Sequence, residues 1–145
     1  RLARPLKTVV VEEVSDLKVY YPSRPAKLSL KSTPVKTALT DREKADAIIS
    51  ALKTGKVLPD TLVLTDFAAD MEGTLILNFT SDLALLKLEP LTEIQTVYAI
   101  VNSFLANFTK AKNVQLLAAG QAIFTIGGTV YTYKPMEFNS QMLED

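Results

Sequence analysis

The sequence predicts an α+β domain in which two helices pack on one face of a mixed, largely antiparallel sheet, in the order β-β-α-β-β-α-β-β. Two segments, "TDREKADAIISALKTG" and "EIQTVYAIVNSFLANF", repeat apolar residues at helical spacing along one side. Around them lie short stretches rich in β-branched and aromatic residues, punctuated by Gly and Pro. Two helices separated by such hairpin signals favour a layer of helix on a layer of sheet.

Taken in order, "LKTVVVEEVSDLKVYYPS" reads as one or two strands centred on residues 17–21 and stopped by Pro22. "KLSLKS" then alternates Leu28 and Leu30 with polar residues as far as Pro34. Its lysines and proline mark an edge strand, because Lys resists edge-to-edge pairing and Pro cannot donate to a ladder. In the first helix Thr40 caps the first turn and Glu43, three residues on, reaches back to complete a capping box. Ala45, Ile48, Ile49 and Leu52 share one face, and Gly55 falls at the left-handed position past the end. "DTLVLTDF" and "TLILNFT" form a hairpin across "AADMEG", where Gly73 can take a positive φ.

"EPLTE" carries the start signal of the second helix, with Pro90 in the first turn and Thr92 or a neighbour as its cap. Ile94, Val97, Tyr98, Val101, Phe104, Leu105 and Phe108 then form one stripe over about four turns, leaving Glu93, Gln95, Asn102 and Asn107 to the polar side. Beyond it, "NVQLLAAGQAIFTIGG" reads as two short strands around Gly120, and "TVYTYKPM" as a further strand. Residues 1–16 read as a lead-in, an extra strand or linker, residues 17–135 as a single domain, and residues 136–145 as a polar tail that frays.

A chain of 145 residues buries about 68–70 % of its unfolded surface, so one core suffices without a metal or disulfide. Sixteen basic residues balance sixteen acidic ones, which supplies none of the cationic excess that nucleic-acid binding relies on. There is no cysteine, which excludes disulfides, thiolate nucleophiles and thiolate metal sites, and no histidine, which removes the side chain that titrates near neutrality. No stretch reaches the roughly 20 apolar residues of a spanning helix. The chain opens on Arg1 rather than Met, so an upstream signal or anchor is an open expectation, and any membrane contact would run through a segment absent from this chain.

The residues from "LKVYYP" through "IGGTV" resemble the GerMN domain, the sporulation and spore-germination domain. Four parts carry the resemblance: the "VYYP" strand, "LPDTLVLTDFAADMEGTLILNFT", the helix "EIQTVYAIVNSFLANF", and the ending "VQLLAAGQAIFTIGG". The chain departs from the family pattern at Ala119, where members often carry Asp, and after Gly128, where "TVYTY" lacks an acidic residue or histidine. The resemblance implies an α/β domain of the bacterial cell envelope, exported across or anchored to the cytoplasmic membrane, with no catalytic residues to carry over and no cofactor. The expected function is therefore non-catalytic protein–protein interaction in a membrane-anchored assembly, with an envelope protein as partner. The alternative is a module that binds peptidoglycan or processes glycan weakly.

Two clusters are candidates for contact. Tyr131 and Tyr133 alternate in "TVYTYKP" beside Lys134, which places both rings on one face as a possible anchor for a protein or a sugar. Asp66, Asp70 and Glu72 are the carboxylates that could pair for glycan hydrolysis or hold calcium, although Asp and Gly are also what a solvated hairpin turn prefers. No metal ligand set is expected, because the calcium-loop spacing is missing. Gly127 and Gly128 lie outside any phosphate-binding pattern and read as a turn, and Asn78 and Asn107 match the short glycosylation pattern "NFT". The outer edge of the second strand, residues 28–35, is a third surface, for self-association.

Overall fold

The computed structural model describes residues 14–36 and 38–144. Strands β1 (Val14–Pro22) and β2 (Leu28–Lys36) pair antiparallel in an unbroken register from Val14 opposite Lys36 to Pro22 opposite Leu28. Helix α1 (Asp41–Thr54) follows, then strands β3 (Leu64–Ala69) and β4 (Thr74–Phe79), helix α2 (Pro90–Asn107) and strand β5 (Asn113–Ala118). The class is α+β, and the order matches expectation as far as β5. The strands form two sheets rather than one: the β1–β2 ribbon, and a sheet ordered β3-β4-β5 in which β4 and β5 run parallel. A parallel neighbour requires a crossover, and α2 supplies it.

The expected second strand after Gly120, and the further one at "TVYTYKPM", do not form. Ala119 and Gly120 both have positive φ, which makes a tight two-residue turn that closes with paired hydrogen bonds between Ala118 and Gln121. Residues 122–136 then continue irregularly, touching strand geometry only at Thr125 opposite Tyr131 and Val114 opposite Met136. The tail docks instead of fraying. Met142 is buried, Leu143 pairs with Leu28 and Phe138 meets Tyr20 edge to face at 5.8 Å. The lead-in reading falls mostly on residues 1–13, outside the described residues, while residues 14–16 belong to β1.

The start of α1 forms as its sequence dictates. Glu43 donates its N–H to Thr40 Oγ1 at 3.0 Å, and Thr40 donates its N–H back to Glu43 Oε1 at 2.9 Å. The helix buries Ala45, Ile48, Ile49 and Leu52. At its other end the left-handed residue is Lys56 (φ 64°) and not Gly55 (φ −80°). Gly55 serves a different need: a Cβ there would lie 2.7 Å from Cε1 of Tyr21, so only glycine lets the ring lie against the helix end.

Helix α2 departs most from its one-stripe expectation. It begins with Glu89 at the N-cap and Pro90 in the first turn, so Thr92 lies inside the helix. Val97, Val101 and Phe104 of the stripe are buried, whereas Ile94, Tyr98, Leu105 and Phe108 are half-buried, and Ile100, outside the stripe, is fully enclosed. The polar side is buried too. Glu93, Gln95, Thr96, Asn102 and Ser103 are all enclosed, because irregular chain and the β1–β2 ribbon cover the face left to solvent by the stripe reading.

Each of these polar groups but Thr96 accounts for a neighbouring segment. Ser103 Oγ accepts the N–H of Tyr20 at 2.8 Å, and Asn107 both accepts the N–H of Lys18 (3.0 Å) and donates to its carbonyl (2.6 Å). Gln95 donates to the carbonyls of Arg24 and Lys27 in the β1–β2 turn. Asn102 exchanges two hydrogen bonds with the backbone of Asn139 in the tail. Bonding of this kind offsets the cost of taking these polar groups out of water.

Burial disfavours the ionised phenols of Tyr20 and Tyr21 and raises their pKa values above the ordinary value near 10. Stability associated with them is fully present below the unfolded-state pKa and is lost as pH rises through the folded one. The urea midpoint is therefore expected to hold up to about pH 10 and fall beyond it. Tyr20→Phe combined with Tyr21→Phe should flatten part of that alkaline fall relative to the unsubstituted protein.

Candidate interaction surface

Three aromatic rings meet on the irregular segment after β5. Phe124, Tyr131 and Tyr133 are 67 %, 51 % and 44 % exposed. Phe124 and Tyr133 stack at 4.9 Å between centroids and 15° between planes, and Tyr131 is tilted against both at 6.3 Å. Tyr131 and Tyr133 thus share a side as their alternation predicts, although no strand carries them. Lys134 follows them and is exposed.

The backbone under the rings is fixed from below. Thr132 lies between the two tyrosines with its side chain fully buried, donating its hydroxyl to the carbonyl of Ile123 (2.7 Å) and its N–H to that of Phe124 (2.8 Å). Gln115 on β5 donates its amide towards the carbonyls of Thr132 and Tyr133 at 3.4 and 3.3 Å. The sequence reading missed Phe124, because it lay inside an expected strand. The signal that could have found it is the Gly127-Gly128 turn, which folds the chain back and sets residue 124 beside residue 132.

That turn rests on α2. The Glu93 carboxylate is wholly enclosed and accepts the N–H of Thr129 at 3.0–3.1 Å and of Val130 at 2.7 Å. A Cβ at Gly127 would stand 2.7 Å from Glu93 Oε1, so glycine at 127 leaves room for the carboxylate. The aromatic cluster is therefore tied by two main-chain donors to a buried anion on the central helix.

The carboxylates of the β3–β4 turn do different work. Asp70 Oδ1 accepts the N–H groups of Glu72 and Thr74, both at 2.9 Å, and so braces the turn around Gly73 (φ 92°). Asp66 accepts from Asn78 Nδ2 at 3.1 Å and from Thr65. Four residues of extended chain set the backbones of Asp66 and Asp70 roughly 13 Å apart. The separation between paired glycosidase carboxyls is only about 5–9.5 Å. Glu72 is exposed, and among the described residues no group of three or more acidic side chains is placed to hold a metal.

The amides of the two "NFT" motifs are committed internally. Asn78 donates to Asp66 and accepts the N–H of Gly120, while Asn107 holds β1. The β3–β4 turn also borders a groove of about 630 Å³ whose walls include Lys44, Phe108 and Lys112, with the Lys44 ammonium 5.0 Å from the Phe108 ring. The glycine pair lies apart from it.

Residues 18–124 match the family described as Germane, sporulation and spore germination. The chain belongs to this family. Among solved structures, the Germane domain is similar to a putative lipoprotein from Clostridium perfringens, at 17 % identity and a TM-score of 0.60 over 92 % of this chain and 93 % of the other. It is similar as well to the tandem GerMN domains of the sporulation protein GerM from Bacillus subtilis, at 14 % identity and a TM-score of 0.62. There the alignment covers 86 % of this chain and 46 % of the tandem chain. At such identities the likeness concerns the fold alone. No curated protein matches the Germane domain significantly. Among its described residues no helix is long and apolar enough to cross a membrane.

Proposed function

We propose that this Germane domain is a non-catalytic, extracytoplasmic part of a bacterial cell-envelope protein connected with sporulation or germination, and that it binds another envelope protein within a membrane-anchored assembly. The observation that carries this reading is the cluster of Phe124, Tyr131 and Tyr133, held half out of the surface by a buried threonine and a buried carboxylate. Exposed aromatics on a rigid base are the residues that dominate protein interfaces, since they bury much area at little entropic cost. Lys134 beside them adds a rim charge. The missing histidine and cysteine, and the use of Asp66 and Asp70 in local hydrogen bonds, support a role without catalysis. The similarity to a protein described as a putative lipoprotein supports the extracytoplasmic placement.

The test uses a triple variant, Phe124→Ser with Tyr131→Ser and Tyr133→Ser, against the unsubstituted domain in a pull-down from envelope extract. The domain should retain a discrete protein that the variant loses by at least tenfold, with equal unfolding midpoints for the two. Loss of no partner, together with measurable turnover of a glycan, would overturn the reading. A stacked ring pair also suits a pyranose, so purified sacculi are the companion probe. Co-sedimentation of the domain but not of the variant would replace the protein partner by peptidoglycan.

A further inference from the structure

The two edges of the β1–β2 ribbon are treated differently. In an antiparallel pair, residues whose N–H and C=O do not bond across the pair point them outward. Lys18 sends both of its groups to Asn107 and Tyr20 sends its N–H to Ser103, both on α2, so their cross-strand partners Ser32 and Leu30 point outward on the far side of β2. Leu28 lies in the same phase, and its carbonyl accepts the N–H of Glu144 at 3.1 Å where Leu143 pairs alongside it. Among the described residues the outward groups of Leu30 and Ser32 have no partner. Pro34, next in phase, offers a carbonyl but no N–H, which ends the usable edge. Residues 29–34 are all exposed.

Grooves flank this edge on both faces. On the tail side, Tyr20, Leu30 and Leu143 line one of about 450 Å³, and Leu30 is 47 % exposed. On the helix side, Tyr21, Ala47, Ala51 and Gly55 line one of about 580 Å³, with Lys31 at its wall. A strand laid along β2 would send alternate side chains into the two grooves, as the period of two requires. The sequence of the ribbon is basic: residues 17–40 hold Lys18, Arg24, Lys27, Lys31 and Lys36 and no acidic residue, while of the carboxylates beside it Asp16 lies opposite Pro34 and Glu144, at the wall of the tail-side groove, is paired with Arg24.

We propose that the outer edge of β2, from Leu30 to Pro34, docks an extended segment of a partner protein that alternates apolar with acidic residues. Apolar side chains enter the groove beside Tyr20 and Leu30, acidic ones face Lys31, and main-chain hydrogen bonds to Leu30 and Ser32 supply the register. A partner is favoured over a second copy because residues 29–34 carry Lys31 and no acidic residue, so two β2 edges would bring like charges together, and the edge at β3 is occupied at its start by Arg42, which donates to the carbonyls of Leu64 and Thr65. The proposal rests on the protein-binding reading above but uses a surface separate from the aromatic rings.

The probe is a fluorescent nine-residue peptide alternating Glu and Val, with a Lys and Val counterpart as control. The acidic peptide should bind at least tenfold more tightly than its counterpart, and exchange of the Leu30 and Ser32 amides should slow at least tenfold at saturation. Ser32→Pro removes an outward N–H and leaves the pairing with β1 intact, so it should weaken binding at least tenfold without moving the unfolding midpoint. Lys31→Glu should reverse the preference between the peptides and covers the case in which the proline variant folds poorly. Equal binding of both peptides, or binding untouched by Lys31→Glu, overturns the proposal. The serine variant of the aromatic cluster should bind the peptide as the unsubstituted domain does, which separates failure here from failure of the aromatic reading.

Discussion

Replacing Glu93 by alanine is expected to lower the unfolding free energy by about 3 kcal/mol, since hydrogen bonds to a charged group contribute about 1.5–3 kcal/mol and buried donors left unbonded add their desolvation cost. The donors concerned are the N–H groups of Thr129 and Val130, which lose their acceptor together. Urea denaturation measures the loss, and near-ultraviolet circular dichroism should report loosening of the rings above them. Gly127→Ala is expected to be destabilising alone, because its Cβ would sit 2.7 Å from Glu93 Oε1, and distinctly less so once Glu93 is alanine, when the tight contact left is the Leu88 carbonyl at 3.3 Å. That non-additivity is the mark of two residues in direct contact. Additive losses would mean that carboxylate and glycine act independently.

Phe104→Ala should cost about 3–5 kcal/mol, the range for truncating a buried aromatic. Phe104 is fully enclosed, with the Phe67 and Phe108 rings both 6.0 Å away, so the vacated volume lies where α2 meets the β3 hairpin. Leu91→Ala on the same helix removes a side chain that is half exposed and should change stability by less than about 0.5 kcal/mol. Chemical denaturation of both variants, at matched m-values, checks the contrast. A similar cost for the two would show that α2 is not anchored at Phe104.

What the sequence made legible were features whose causes lie within a few residues of one another. The capping box of α1 joins residues 40 and 43, its apolar face repeats every three or four residues, and the β3–β4 turn is set by Asp70 and Gly73. The apolar stripe of α2 was visible for the same reason. Its polar side was not, because Ser103 and Asn107 find partners 83 and 89 residues away and Glu93 finds its own 36 and 37 residues away. A lone polar residue on a helix looks the same in sequence whether water or a distant backbone receives it. The final strands failed because a run of β-branched and aromatic residues records a preference for extension without saying whether a neighbouring strand is within reach.

Of the candidate surface, Tyr131 and Tyr133 could be placed on one side from alternation alone, while Phe124 could not. Its position beside them depends on the Gly127-Gly128 turn, which is visible in the sequence, and on the hold of Glu93 on that turn from 36 and 37 residues away, which is not. Asp66, Asp70 and Glu72 were readable as a cluster in sequence only: extended chain spreads them, and the turn consumes Asp70.

The side chains of α2 that close the outer side of β1 also set a limit on stoichiometry. A ribbon sealed on one side has a single valence. Once a strand lies along Leu30 and Ser32, the opposite side of the ribbon is already bonded at Lys18 and at the Tyr20 N–H, so over that stretch pairing ends with two members instead of propagating as a fibre. A larger assembly containing this domain is then expected to grow through some other face.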